Sequence, residues 1–233
     1  MKLTVVIPAH NEEEVIGDTL EKLEAELEVP HEVVVVNDHS TDRTADVVRE
    51  ASKKWPNVRL VDNTLSGGFT NALKAGFNSV DEGAIATIMG DLCDDPKTIE
   101  VMYGKIMEGY DVVCGSRYMK GGRKVGGRPL QNMFSKFVGL SLHLLTGLPT
   151  RDVSNAFKMY RREVVAGMNI EEAGFASSLE ITVKAYVKNY RITEVPTTWV
   201  GRTKGESSFR IFKVSKNYIR WYVWALLLRR WRC

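Results

Sequence analysis

Apolar positions in the first half of the chain alternate between two rhythms. Leu3–Ala9 and Glu32–Asp38 are short β-branched runs with uncharged centres, the pattern of strands buried on both faces. Between them, Glu12–Leu27 carries Val15, Ile16, Leu20, Leu23 and Leu27 at helical spacing. Thr41–Lys54 predicts a second helix, with Ser40 or Thr41 as its N-cap. Val58–Val61 is a third strand, and Phe69–Val80 a third helix after the turn Ser66-Gly67-Gly68. Ala84–Met89, the helix Pro96–Met107 with proline in its first turn, and Asp111–Gly115 continue the order. Strands and helices in strict alternation predict a mainly parallel sheet with right-handed crossovers.

The second half is less regular. Gly121–Gly127 is glycine-rich and basic and reads as a mobile loop. An apolar helix spans Leu130–Leu145 and ends near Gly147-Leu148-Pro149. Asn155–Tyr160 is a strand, Ser177–Lys188 a helix, and Ile192–Trp199 a strand that Pro196 confines to an edge or bulge. Gly201–Ser208 is a polar loop, and Lys213–Arg232 a terminal helix rich in Trp, Tyr, Leu and Arg. With no repeat or linker, residues 1–233 read as a single α/β domain.

Composition narrows the classes. A net charge of +3 in 233 residues is too mild to argue for nucleic acid, so none is expected as partner. Cys93, Cys114 and Cys233 form no CxxC pair, which suits a reducing cytosol. Met1-Lys2 leads into a short apolar run ending at Pro8, so no signal peptide is expected. The longest apolar run, Tyr222–Leu228, is far below the roughly 18–20 residues that cross a bilayer. No G-x-G-x-x-G follows the first strand, which disfavours a Rossmann dehydrogenase.

In open α/β sheets, ligands bind beyond the carboxyl ends of the strands. Three polar turns stand there: Pro8-Ala9-His10-Asn11-Glu12, Asn37-Asp38-His39-Ser40-Thr41-Asp42 and Gly90-Asp91-Leu92-Cys93-Asp94-Asp95-Pro96. Their carboxylates suit a ribose hydroxyl or a divalent cation on a diphosphate. Thr41, Asp42 and Asp94 or Asp95 are better explained as helix caps, whereas Glu12, Asp38 and Asp91 sit earlier in the turns. Arg117, in a Gly115-Ser116-Arg117-Tyr118 turn at a strand end, presents a fork suited to phosphate oxygens. Arg151-Asp152 is either a functional pair or an internal salt bridge.

These turns, with Arg151-Asp152-Val153-Ser154-Asn155-Ala156-Phe157 and Arg202-Thr203-Lys204-Gly205-Glu206-Ser207, resemble the family 2 glycosyltransferases of GT-A fold. Within that family the resemblance is to dolichyl-phosphate mannose synthases and related polyprenyl-phosphate glycosyltransferases. It covers nearly the whole chain in order. It implies a Rossmann-like, mainly parallel sheet flanked by helices, with a nucleotide-sugar half (1–118), an acceptor half (119–210) and an amphipathic C-terminal helix (211–233).

The resemblance also implies roles. Pro8, His10, Glu12, Asn37, Asp38, Gly90 and Asp91 line the nucleotide, and Asp91 faces Mg²⁺ or Mn²⁺. Arg117, Arg128, Ser135 and Ser207 take the acceptor phosphate. Arg202 joins Asp91 and Arg117 in catalysis. Three departures stand out. Met89 replaces the first Asp of the D-x-D motif, and Cys93 stands where glutamine is common, so two oxygen ligands are lost. Asn37 replaces one of an Asp pair. Gln131 stands where an acceptor-binding arginine is usual, with Arg123, Lys124 or Arg128 as substitutes and Arg128 preferred because it opens the following helix.

The expected activity is inverting transfer of a hexose from GDP-mannose, or next UDP-glucose, to a polyprenyl or dolichyl phosphate. A phosphate acceptor is largely dianionic at neutral pH and needs no general base. The terminal helix, from Tyr218 to Arg232, suits peripheral contact with the cytoplasmic face of a membrane. Two alternatives remain: a cytosolic transferase using a saccharide or protein hydroxyl, with Glu180 or Asp152 as base, and a non-catalytic sugar-nucleotide-binding module.

Overall fold

The computed structural model describes residues 1–91, 93–201 and 211–228. Its first half follows the predicted order: β1 (Leu3–Ala9), α1 (Ile16–Glu26), β2 (Glu32–Asn37), α2 (Thr44–Lys54), β3 (Val58–Asp62), α3 (Phe69–Asn78), β4 (Ala84–Thr87), α4 (Lys97–Met107) and β5 (Val112–Ser116). Then come β6 (Arg123–Val125), α5 (Pro129–Thr146), β7 (Lys158–Arg161), α6 (Arg162–Ala166), α7 (Ser177–Val187), β8 (Ile192–Pro196), β9 (Thr198–Val200) and α8 (Ile211–Leu228).

Seven strands form one sheet in the order β3-β2-β1-β4-β7-β5-β8. Only β7 runs antiparallel to its neighbours; the other pairings are parallel. All seven β1 positions and the four valines of β2 are buried, because helices cover both sheet faces. The fold is the mixed, mainly parallel α/β sheet flanked by helices that the alternation predicts. β8 lies at the sheet edge and ends at Pro196, where the missing N–H is harmless.

Helix starts differ from expectation for identifiable reasons. Asn11 takes a positive φ of 52°, and the Glu12 carbonyl accepts from Val15 and Ile16 N–H, so residues 12–15 form a turn before α1. Neither Ser40 nor Thr41 opens α2. Asp42 Oδ1 accepts from Thr44 N at 2.9 Å, while Thr41 N donates to Asn11 Oδ1 at 2.8 Å and ties the first two turns together.

The glycine-rich segment is not simply a loop. Its centre forms β6, which pairs in parallel with β9 as a separate two-stranded sheet. The single strand expected at Ile192–Trp199 therefore divides at Thr197: β8 joins the main sheet and β9 turns to β6. The short helix α6 has too few residues for a periodic signal. A third core cluster joins Val138 and Leu142 of α5, Leu179 and Val183 of α7, and Tyr218, Trp221 and Ala225 of α8.

Candidate active site

The strand order brings the three polar turns side by side, since β2, β1 and β4 are consecutive neighbours. At the β1 and β2 ends, His10 is exposed and its Nδ1–H donates to the Asp38 carbonyl at 2.6 Å. The Glu12 amide donates to Thr44 Oγ1 at 2.8 Å. Asn37 Nδ2 donates to Asp62 Oδ1 at 2.8 Å, which places a further carboxylate at this edge. Asp38 is buried; its Oδ1 accepts from Asn63 Nδ2 at 2.7 Å and its Oδ2 from Gly68 N at 2.8 Å. It holds the 63–68 turn beside β2. Pro8 and Gly90 are buried, and Thr19 Oγ1–H donates to the Gly90 carbonyl at 3.1 Å.

Beyond β4 a second group of residues surrounds a cavity of ≈ 170 Å³. Asp91 and Met89, which follow β4, line it together with Arg117, Lys124 and Trp199, Gln131 and Ser135 of α5 and Tyr218 of α8. Asp91 thus occupies the junction between the two halves. His10, Glu12, Asn37 and Asp38 belong to the first half and do not line this cavity.

Arg117 is built in rather than free. Its Nε donates to Asp152 Oδ2 at 2.6 Å, its Nη2 to Oδ1 at 2.8 Å, and its backbone N to Oδ2 at 3.0 Å. Asp152 is fully buried and the Arg117 side chain is 8% exposed. The fork uses two of five guanidinium N–H donors, leaving three for a ligand. The Asp152 carboxylate holds the guanidinium pKa above its ordinary value against the opposing effect of burial. Of the two readings of Arg151-Asp152, neither partner assignment holds: Asp152 pairs with Arg117, and Arg151 with Glu194. Residue 152 reaches this position because Gly139 lets α5 approach; a Cβ there would lie 2.0 Å from the Arg151 carbonyl oxygen.

Beneath the cavity lies Lys158, fully buried in β7. Its Nζ donates to the carbonyls of Val153 at 2.9 Å, Ser178 at 3.3 Å and Asn155. Burial pushes its pKa down to about 8. Three carbonyl acceptors match the three donors of an ammonium, so the charged form persists at neutral pH. The lysine ties the 153–156 segment to the start of α7, two elements that line the cavity. Nothing in the local sequence marked it, since an interior strand lysine looks like a surface one.

The order expected among the basic residues is reversed. Arg128 is exposed at the N-cap of α5 and lies outside the cavity wall, whereas Lys124 lines it. Strand alternation explains this: in β6, Arg123 and Val125 face solvent and Lys124 turns inward over the Trp199 ring, 4.8 Å from its centroid. Ser135 lines the cavity, with its hydroxyl hydrogen-bonded to Tyr118 OH. Arg202 and Ser207 lie outside the described residues.

The acidic turn fits a divalent cation of the kind held chiefly by substrate phosphates and water. Asp91 lines the cavity, and Cys93 N donates to its Oδ1 at 3.2 Å. Of the two cap candidates Asp94 and Asp95, Asp94 is buried, and its Oδ1 has no hydrogen-bond partner among the described residues. Burial, reinforced by the Asp91 charge, raises its pKa to about 7. Asp95 serves the cap instead, its Oδ1 accepting from Lys97 N at 3.2 Å. Met89 and Cys93 bring sulfur, which hard cations disfavour. Among the described residues, no three His, Cys, Asp or Glu form a metal-sized group. One carboxylate with an orphaned carboxylate oxygen nearby is therefore the protein's oxygen supply.

The two base candidates for a hydroxyl acceptor are both occupied. Asp152 is taken by the Arg117 fork. Glu180 is fully buried, its oxygens accepting from Glu171 N at 2.7 Å and Glu172 N at 2.8 Å and pairing with Lys184.

Comparison with known proteins agrees with this layout. The family model "Glycosyl transferase family 2" matches residues 4–167. A dolichol-phosphate mannosyltransferase of Pyrococcus furiosus is 31% identical over 232 residues, covering 96% of this chain and 64% of that protein. The chain therefore spans less than two thirds of that relative's length. An undecaprenyl-phosphate mannosyltransferase of Micrococcus luteus is 28% identical over 236 residues, covering 98% of this chain and 96% of that protein. Among solved structures, glucosyl-3-phosphoglycerate synthase of Mycobacterium tuberculosis, in complex with Mn²⁺, UDP and glucosyl-3-phosphoglycerate, superposes with a TM-score of 0.72 at 18% identity, covering 98% of this chain and 79% of that one.

Proposed function

This chain belongs to glycosyl transferase family 2, and on that premise we propose that it transfers a hexose from a nucleotide-sugar to a polyprenyl phosphate. The observation that carries the reading is the cavity beside Asp91, which among the described residues is lined by two cations, with Asp91 as its carboxylate. Arg117 and Lys124 line it, while Asp152 and Glu180 are locked in internal pairs. Such a site suits an acceptor that arrives already ionised.

The chemistry is a single displacement. A phosphate oxygen of the acceptor attacks the anomeric carbon from the face opposite the leaving group. The bond from that carbon to the diphosphate oxygen breaks, and the nucleoside diphosphate departs with the electron pair. The transition state has oxocarbenium character. A phosphate monoester has its second pKa near ~6, so no proton need be removed at neutral pH. Arg117, oriented by Asp152, offers its three remaining N–H donors to phosphate oxygens, and its charge costs no reorganisation during the reaction. Asp91 would hold Mg²⁺ or Mn²⁺, which when bound would supply charge neutralisation for the leaving group. The polar turns after β1 and β2, with His10, Glu12, Asn37 and the rigid Asp38 loop, receive the nucleoside.

GDP-mannose is the first donor to try, in keeping with the mannosyltransferase relatives, and UDP-glucose the second. The membrane side of the reading rests on α5 and α8. Among the described residues no helix is long and apolar enough to cross a membrane. Yet α5 exposes Leu130, Met133, Phe137 and Leu144, and α8 exposes Ile219, Val223 and Leu227, while their inner faces pack together. Two packed helices with apolar outer stripes suit a peripheral seat in the headgroup zone of the cytoplasmic leaflet. The reading is tested by release of nucleoside diphosphate from GDP-mannose or UDP-glucose with Mn²⁺. Polyprenyl phosphate should stimulate release and the corresponding polyprenol should not; equal stimulation by both would contradict a phosphate acceptor.

A further inference from the structure

We propose that Lys124 is the residue that captures the acceptor's phosphate, held for that purpose on the Trp199 ring by the β6–β9 strap. The proposal rests on the lipid-phosphate reading and assigns its anion to one side chain.

Lys124 and Arg117 are the two cations that line the cavity. They differ in one respect: Arg117 is bound by the Asp152 fork, whereas no carboxylate among the described residues pairs with Lys124. Its ammonium lies 4.8 Å from the Trp199 ring centroid and is half-buried. Burying a cation without a counter-charge is costly, and an aromatic face recovers only part of that cost. Burial first, and then the Arg117 charge, lower its pKa to about 8. A cation kept in such a place is stabilised when an anion enters the cavity.

The surroundings fix its position. Parallel register sets Lys124 opposite Trp199, and the Gly201 N–H donates to the Val125 carbonyl at 2.8 Å. Val200 N donates to the Cys93 carbonyl at 2.9 Å, which anchors the strap to the acidic turn that carries Asp91. Gly127, at φ 79°, closes the strap. A Cβ there would meet Asn132 Oδ1 and a Trp199 ring carbon at 3.2 Å, pushing the platform from beneath the lysine. Gln131 and Ser135 line the same cavity, groups that can hydrogen-bond a phosphate without neutralising it. An anion in this cavity would meet both Lys124 and the Arg117 donors that the Asp152 fork leaves over.

The same chemistry has a second source, the diphosphate of the donor. Binding of farnesyl phosphate, farnesol, GDP and UDP to the full-length protein, measured by titration calorimetry, separates the two. Wild type should bind farnesyl phosphate and not farnesol. Lys124→Met should weaken farnesyl phosphate roughly 10- to 100-fold, the loss of one charge-assisted contact, and leave GDP and UDP within twofold. Lys124→Arg should retain most of the affinity. Adding Gln131→Arg to Lys124→Met should restore it by supplying a cation from another position on the cavity wall, which a merely misfolded variant would not allow. Unchanged farnesyl phosphate binding in Lys124→Met overturns the assignment and leaves the phosphate-acceptor reading intact. Weakened GDP or UDP binding instead gives the lysine to the donor and likewise overturns it. Wild type that binds farnesyl phosphate no better than farnesol removes both.

Discussion

Arg117 and Asp152 meet as two parallel forks, with Nε 2.6 Å from Oδ2 and Nη2 2.8 Å from Oδ1, at the base of the cavity. Both are buried, so removing either leaves an uncompensated charge. Asp152→Ala should cost about 3–5 kcal/mol of stability. The double variant Arg117→Ala with Asp152→Ala should cost clearly less than the sum of the single changes, because no lone charge remains. Denaturant unfolding of the four proteins checks this. Additive losses would mean that the fork carries no coupling.

Asp91 is the carboxylate on which cation binding depends, given the sulfur at positions 89 and 93. Asp91→Asn should lower kcat by roughly 10²–10³. It should also raise the Mn²⁺ concentration needed for half-maximal activity by at least about tenfold. Manganese binding followed by electron paramagnetic resonance, in the presence of GDP, reads the second effect without turnover. Full binding by the variant would place the cation elsewhere.

Phosphate capture by Lys124 has a pH signature. The ammonium must be protonated to bind, and its pKa is lowered to about 8, chiefly by burial, with Arg117 adding to the effect and Asp152 opposing it. The acceptor's phosphate becomes dianionic above ~6. Acceptor kcat/KM should therefore rise through about 6 and fall as pH rises through about 8. In Lys124→Arg the falling limb should disappear below about pH 10, because arginine does not deprotonate in this range. A falling limb unchanged in that variant would assign it to another group.

The outer stripes of α5 and α8 give a prediction independent of catalysis. Phe137 and Leu144 are 64% and 78% exposed, so replacing them should not disturb the core. Phe137→Glu with Leu144→Glu should reduce co-sedimentation with anionic vesicles by roughly tenfold or more, with an unaltered unfolding midpoint. Undiminished vesicle binding would dissociate α5 from the membrane.

Which features were legible in the sequence follows from geometry. β1, β2, β4 and β5 are buried on both faces and separated by helices, so their apolar runs announce themselves, and the polar turns fall at the carboxyl ends of β1, β2 and β4. β6 and β9 have three residues each, too few for alternation to emerge, and glycine-rich flanks hide the first of them. That gap carried the error at Arg128, since without a strand there is no rule turning Lys124 inward and leaving its neighbours outside. Arg151 and Asp152 are adjacent in sequence yet pair with Glu194 and Arg117, partners from distant parts of the chain that no local pattern records. Asp94 and Asp95 were alternatives for the same cap; Asp95 takes it, and Asp94 turns into the protein instead. Lys158 was invisible because its three acceptors come from backbone, which no side-chain pattern records.

The central claim is that hexose passes from a nucleotide-sugar to a lipid phosphate, and product analysis tests it most directly. The protein is incubated with labelled GDP-mannose or UDP-glucose, Mn²⁺ and polyprenyl phosphate, then extracted with organic solvent and analysed by mass spectrometry. The account predicts label in the organic phase as a hexose joined to the polyprenyl chain through one phosphate. Label confined to water-soluble acceptors would contradict it.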